Sequence, residues 1–120
     1  MATEYMIAHV NDLPVGTHKV FKVGGREIGV FNLAGRYYAL PNNCIHQNGP
    51  LCRGSVSGTI EASAASGWKP TWVHEGEIII CPWHTMEFDI ATGRCLAEPR
   101  RFIPTYSVMV IGSEIRVSIP

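Results

Sequence analysis

Apolar and polar positions alternate at strand period near both ends of the chain and lose that order in the middle. Residues 6–10 and 19–23 are short apolar runs. Gly24-Gly25 then makes a two-residue turn into residues 26–33, where Ile28 and Val30 share one face, as a half-buried strand requires. Ala34-Gly35 turns again into residues 36–40, whose Tyr37, Tyr38 and Leu40 suit a pleated surface. At the far end, residues 106–111, a Gly112-Ser113 turn and residues 114–119 predict another hairpin. In it Val108 and Val110 alternate on one strand, and Ile115, Val117 and Ile119 on the other. No segment repeats apolar residues every three or four positions, so helix should be scarce. The pattern predicts an all-β, antiparallel fold of short strands, a small sandwich or partly open barrel.

Between Leu40 and Phe102, Gly49-Pro50, Gly54, Gly58, Gly67, Pro70, Gly76, Pro82, Gly93 and Pro99 interrupt almost every apolar run. This reads as a loop-rich subdomain inserted over the strands, at about residues 41–103, within a single domain of residues 1–120. At 120 residues the chain is large enough to bury a core. Ten basic and ten acidic residues cancel, so no basic field invites nucleic acid. The first 14 residues lack a basic segment followed by an apolar run, and no uncharged apolar stretch approaches a membrane span. The cytoplasm is the expected location.

Candidate chemistry lies in two short boxes, Cys44-Ile-His46 and Cys81-Pro-Trp-His84. Together they offer two thiolates and two imidazoles, which could hold one tetrahedral zinc or divide between the two irons of a [2Fe-2S] cluster. Zinc sites usually pair Cys with Cys and place His with His on a helix. Here each loop mixes one of each and no helix carries the histidines, which favours the cluster.

The boxes, "CIHQNGPLCRG" and "CPWHTMEFDIATGR", resemble those of the Rieske iron–sulfur proteins, and "LAEPRRFIPTY" is similar to that family's proline loop. The resemblance covers roughly residues 36–118. It implies a Rieske-type antiparallel β-sandwich or barrel base carrying a two-loop cluster subdomain. Cys44 and Cys81 would hold the buried ferric iron, and His46 and His84 the outer one. High-potential relatives add a disulfide between the loops and hydroxyls on the cluster sulfurs; the matching positions here are Gly49, Trp83, Met86 and Phe88. Without those donors the reduced charge is less well solvated, so the potential is expected near the low end of the Rieske range, about −150 mV rather than about +300 mV. The resemblance therefore implies a soluble Rieske ferredoxin of the kind serving ring-hydroxylating oxygenases. Its partners would be a flavin-dependent reductase and a terminal oxygenase. It would not itself be an enzyme: once the ligands are assigned only His9, His18 and His74 remain, too few and too scattered for a mononuclear iron site. The alternatives are a Rieske-like small subunit of a nitrite-reductase-type or other oxidoreductase complex, and a zinc-held structural module.

Residues 47–80 leave 34 positions between the second and third ligands, about twice the family's usual gap, with the excess between Val56 and Glu77. The plainer expectation is a long hairpin whose Trp68 and Trp72 pack on the base; the sharper one is a partner-docking flap. Cys52 and Cys95 read as small buried hydrophobes rather than ligands, and His9, His18 and His74 as surface or turn residues. Glu87 and Asp89 lie two apart on an expected strand and face one side, without partners that would make them an acid/base pair. Arg100-Arg101 reads as a solvated pair. Thr85 stands where the family usually has glycine, so a backbone that suits threonine is expected there.

Overall fold

The computed structural model describes residues 3–42, 50–82 and 85–120. Among the described residues, nine strands form three antiparallel sheets of three. They are β1 (Thr3–His9), β2 (His18–Val23), β3 (Arg26–Leu33), β4 (Arg36–Pro41), β5 (Ser55–Glu61), β6 (Thr71–Ile80), β7 (Glu87–Asp89), β8 (Ser107–Ile111) and β9 (Glu114–Ile119). The sheets run β1-β9-β8, β2-β3-β4 and β5-β6-β7. Helical structure among the described residues is confined to three-residue 3-10 turns.

Each base hairpin forms where its turn residues predict. Val23 pairs with Arg26 across Gly24-Gly25, Leu33 with Arg36 across Ala34-Gly35, and Ile111 with Glu114 across Gly112-Ser113. β9 shows the expected alternation, with Ile115, Val117 and Ile119 buried and the residues between them only half-buried. A bridge from Tyr106 N–H to the Ala39 carbonyl, 3.0 Å, ties the end of the chain to β4.

β3 departs from the half-buried strand expected of it, because Ile28, Gly29, Val30, Phe31 and Asn32 are all buried. The reason is that its sheet is a middle layer. Ile28 and Val30 join Leu13, Val23, Ala39, Ile115 and Val117 in one apolar core beneath β1 and β9. On the opposite face Phe31, with Leu40 of β4, joins Leu51, Ile79, Phe88, Ile90, Cys95 and Ile103 in a second core beneath the inserted region. Period two along β3 thus feeds two cores at once. Asn32, the polar member of this buried run, donates to the Leu13 carbonyl (2.8 Å) and accepts from Gly35 N–H (3.0 Å), so its amide is not left unsatisfied.

The inserted region is more regular than its glycines and prolines suggest. β5 and β6 form a long hairpin with a register shift between Ser57 and Thr59, and β7 adds to β6 through Ile78↔Asp89, Ile79↔Phe88 and Ile80↔Glu87. The hairpin is the one expected, but its tryptophans do not pack on the base. Trp68 is 71% exposed and Trp72 54%. No residue from Ile60 to Val73 is buried, so the outer hairpin stands clear of both cores.

Candidate metal centre

The register of β5 against β6 fixes how the chain after the first box approaches the residue before Cys81. Ser55 pairs with Ile80, so the strand leaving the first box and the strand running into the second meet end to end. Gly54 lies so close to β6 that a Cβ added there would sit 1.8 Å from the Ile80 carbonyl oxygen. Only a residue without a side chain allows this approach. The 34 intervening positions thus double back as a hairpin that returns the chain from Ser55 to Ile80, the residue before Cys81.

Cys81 follows Ile80 directly and is wholly buried, in the core with Leu51, Cys52 and Phe88. Its N–H donates to the Met86 carbonyl at 2.8 Å, closing the second box into a tight loop. Thr85 occupies this loop with φ +54°. The expectation of a backbone compatible with threonine is therefore overturned: the closure demands a left-handed residue, and Thr85 takes that conformation against its β-branched preference. Cys44, His46 and His84 lie outside the described residues. Among the described residues no three His, Cys, Asp or Glu side chains converge on a point.

The base of the first loop is held by a residue that the sequence reading passed over. Asn42 is 3% exposed. Its N–H donates to the Glu27 carbonyl (2.9 Å) and its Nδ2 to Glu27 Oε1 (3.1 Å), while its Oδ1 accepts from Cys52 N–H (2.7 Å). One side chain thus ties β3, the start of the loop and its return together. The local signal was an asparagine directly after a strand-ending proline, a residue type that habitually bonds nearby backbone in turns.

Cys52 and Cys95 are buried, as expected, and neither is in a disulfide. Burial pushes the Cys52 thiol up to about 12, with the nearby Cys81 adding to the effect and the Gly29 backbone opposing it. Cys52 therefore stays protonated, its Sγ directed at the Leu40 and Pro41 carbonyls at 3.6 and 3.5 Å. This is the environment of a structural cysteine. Cys81 is different in place rather than in burial, since it heads a loop that carries a second candidate ligand. A buried thiolate there fits a soft, positively charged iron, which would supply the counter-charge.

The remaining candidates sort themselves by contact. His9 caps a 3-10 turn, accepting from Asn11 N–H, and His18 stacks on Phe31 with ring centroids 4.8 Å apart. His74 lies near Glu61 and Glu77, at 3.6 and 3.9 Å. Glu87 accepts from Thr59 Oγ1 (3.0 Å), and Asp89 from Thr92 N–H (3.1 Å). Arg101 pairs with Glu98 on the surface. The proline-containing segment after Gly93 folds back on it: Ile103 N–H donates to the Gly93 carbonyl (2.7 Å), Cys95 N–H to that of Arg101 (3.0 Å), and Phe102 remains 63% exposed.

Comparison with known proteins agrees with this architecture. The family model of the Rieske [2Fe-2S] domain matches residues 3–107. The ferredoxin component of the naphthalene 1,2-dioxygenase/salicylate 5-hydroxylase systems of a Ralstonia species is 31% identical over 104 residues, 86% of this chain and 83% of its own length. Among solved structures, the ferredoxin of carbazole 1,9a-dioxygenase from Nocardioides aromaticivorans superposes with a TM-score of 0.71 at 30% identity, covering 96% of both chains. A ferredoxin from Sphingomonas yanoikuyae gives 0.72 at 25% identity, covering 98% of this chain and all of its own.

Proposed function

The chain belongs to the Rieske [2Fe-2S] domain family, and from that premise we propose that Cys44, His46, Cys81 and His84 hold its cluster, the thiolates on the inner iron and the imidazoles on the outer. The protein is an electron carrier rather than a catalyst of substrate chemistry, a ferredoxin of the oxygenase-serving kind. We assign it a flavin-dependent reductase as donor and a terminal oxygenase as acceptor. The cytoplasm is its proposed location, and among the described residues no helix is long and apolar enough to cross a membrane.

The observation that supports the ligand assignment is the Ser55↔Ile80 pairing, which sets Gly54 and Ser55, downstream of Cys44 and His46 in sequence, against Ile80, the residue before Cys81. When bound, the cluster supplies a site that gains and loses one electron reversibly. The chain's own residues hold the loops that present it. Asn42 ties Cys52 to β3, the Cys81–Met86 hydrogen bond spans the second box, and Gly54 allows its backbone to lie against Ile80. Met86, half-buried, and Phe88, fully buried, bring no hydroxyl to the second box, which supports a potential near the low end of the family's range. Iron and acid-labile sulfide in equal amounts, with a rhombic EPR signal after dithionite reduction, are expected of the purified protein. Stoichiometric zinc, or reduced protein that is EPR-silent, would remove the reading.

A further inference from the structure

The outer β5–β6 hairpin is ordered, carries no buried residue between Ile60 and Val73, and displays three large apolar side chains. Ile60 pairs directly with Trp72, and the two are 66% and 54% exposed. Trp68, at the hairpin's end, is 71% exposed. Cross-strand partners stand on the same face, so Ile60 and Trp72 form one apolar strip. Trp72 is also fixed in place, lying against Gly58 and donating its Nε1 to Glu75 Oε2. A rigid, exposed tryptophan beside an aliphatic neighbour is the composition of an interface anchor.

The charges around this strip are one-sided. Glu61, Glu75 and Glu77 lie on the hairpin against Lys69, with His74 3.6 Å from Glu61 and 3.9 Å from Glu77. Under it runs a groove of about 740 Å³ lined by Glu61, Glu87 and Asp89 on the acidic side and by Arg94 on the basic side. Three carboxylates thus line the groove against Arg94 and His74, while Glu75 and Glu77 line a separate pocket with Arg36, in a chain whose total charge is zero. Arg100, next to the lining Pro99, reduces this excess without cancelling it, and Arg101 is paired with Glu98. In sequence the groove's Ile78 and Glu87 stand three residues from Cys81 and His84 respectively.

We propose that the β5–β6 hairpin and the groove beneath it are a docking surface for a redox-partner protein that presents lysines or arginines around an apolar centre. The proposal rests on the electron-carrier reading. The hairpin's carboxylates would draw such a surface in and orient it, and Ile60, Trp68 and Trp72 would hold it once water is expelled.

The test uses the cluster-loaded protein, reduced with dithionite and freed of excess, with cytochrome c as a lysine-rich one-electron acceptor. Rates are compared at matched cluster EPR intensity, so that poorly folded variants are recognised. Glu61→Gln/Glu75→Gln/Glu77→Gln and, separately, Trp68→Ala/Trp72→Ala should each slow cytochrome c reduction about fivefold or more at low ionic strength. Added salt should erase the difference between wild type and the first variant. Cytochrome c with acetylated lysines should show no preference for wild type over the carboxylate variant. Equal rates for wild type and both variants would overturn the docking surface and leave the carrier role standing. A wild-type protein without a [2Fe-2S] EPR signal would overturn the carrier reading itself. A concentration-dependent dimer in sedimentation equilibrium that the tryptophan variant abolishes would make the occupant a second copy, and would overturn the proposal as well.

Discussion

Gly54 and Gly93 each pass a backbone carbonyl at a distance no side chain permits: an added Cβ would meet Ile80 O at 1.8 Å and Ile103 O at 2.0 Å. Gly54→Ala should therefore cost about 2–3 kcal/mol or more in chemical denaturation, because relief requires the chain at Gly54 and β6 at Ile80 to part. Thr85 presents the opposite case. Its φ of +54° is costly for a β-branched residue, so Thr85→Gly should raise stability by about 0.5–1 kcal/mol, the relief being partly offset by the freer unfolded chain. A lower melting temperature in that variant would show that contacts of the threonine side chain outweigh its strain. The cysteines divide in the same concrete way. Cys81→Ser should abolish the EPR signal, whereas Cys52→Ser should keep it and lose about 1–3 kcal/mol, through a hydroxyl placed where a thiol was buried. At this scale the candidate ligands were legible because cysteine and histidine carry their chemistry in their identity. Asn42 was not, since its role depends on Glu27 and Cys52, which only folding brings beside it.

The hairpins of the base could be read because two-residue turns and strict alternation report the same register twice. β5 and β6 resisted the same reading for a physical reason. Their outer halves face solvent on both sides, so no buried face imposes period two, and Gly58 and Gly76 interrupt what remains. The expectation that the tryptophans would pack inward followed from how often aromatic residues are core; it failed because the outer hairpin has no core to enter. The same fact predicts its dispensability to the fold. Replacing residues 62–70 by an Asn-Gly turn between Glu61 and Thr71, which are paired, should change the unfolding free energy by less than about 1 kcal/mol. A larger loss in urea titration would mean that the outer hairpin supports the centre mechanically.

For the whole molecule, the middle sheet lies between the two cores, and His18 on its β2 strand makes the stability of the fold depend on pH. Burial holds its pKa below the ordinary 6.5, while the carbonyls of Gly54 and Cys52 pull it upward less strongly. The folded chain then binds fewer protons than the unfolded one just below that value, so stability is retained above about pH 6.5 and falls as the pH drops through it. His18→Gln should flatten the stability profile between about pH 7 and pH 5.5. An unchanged slope would assign the effect to another group.

The pairing of Ser55 with Ile80 has a consequence for ancestry. Because Ser55 and Ile80 lie side by side, contour length along the chain and distance in space vary independently in this hairpin. Insertions beyond that pairing leave Ser55 beside Ile80, and selection can lengthen or decorate the outer hairpin freely. Any survey that demands a fixed count of residues between C-x-H and C-P-x-H would pass over this chain and others like it, discarding the members most free to have acquired new partners.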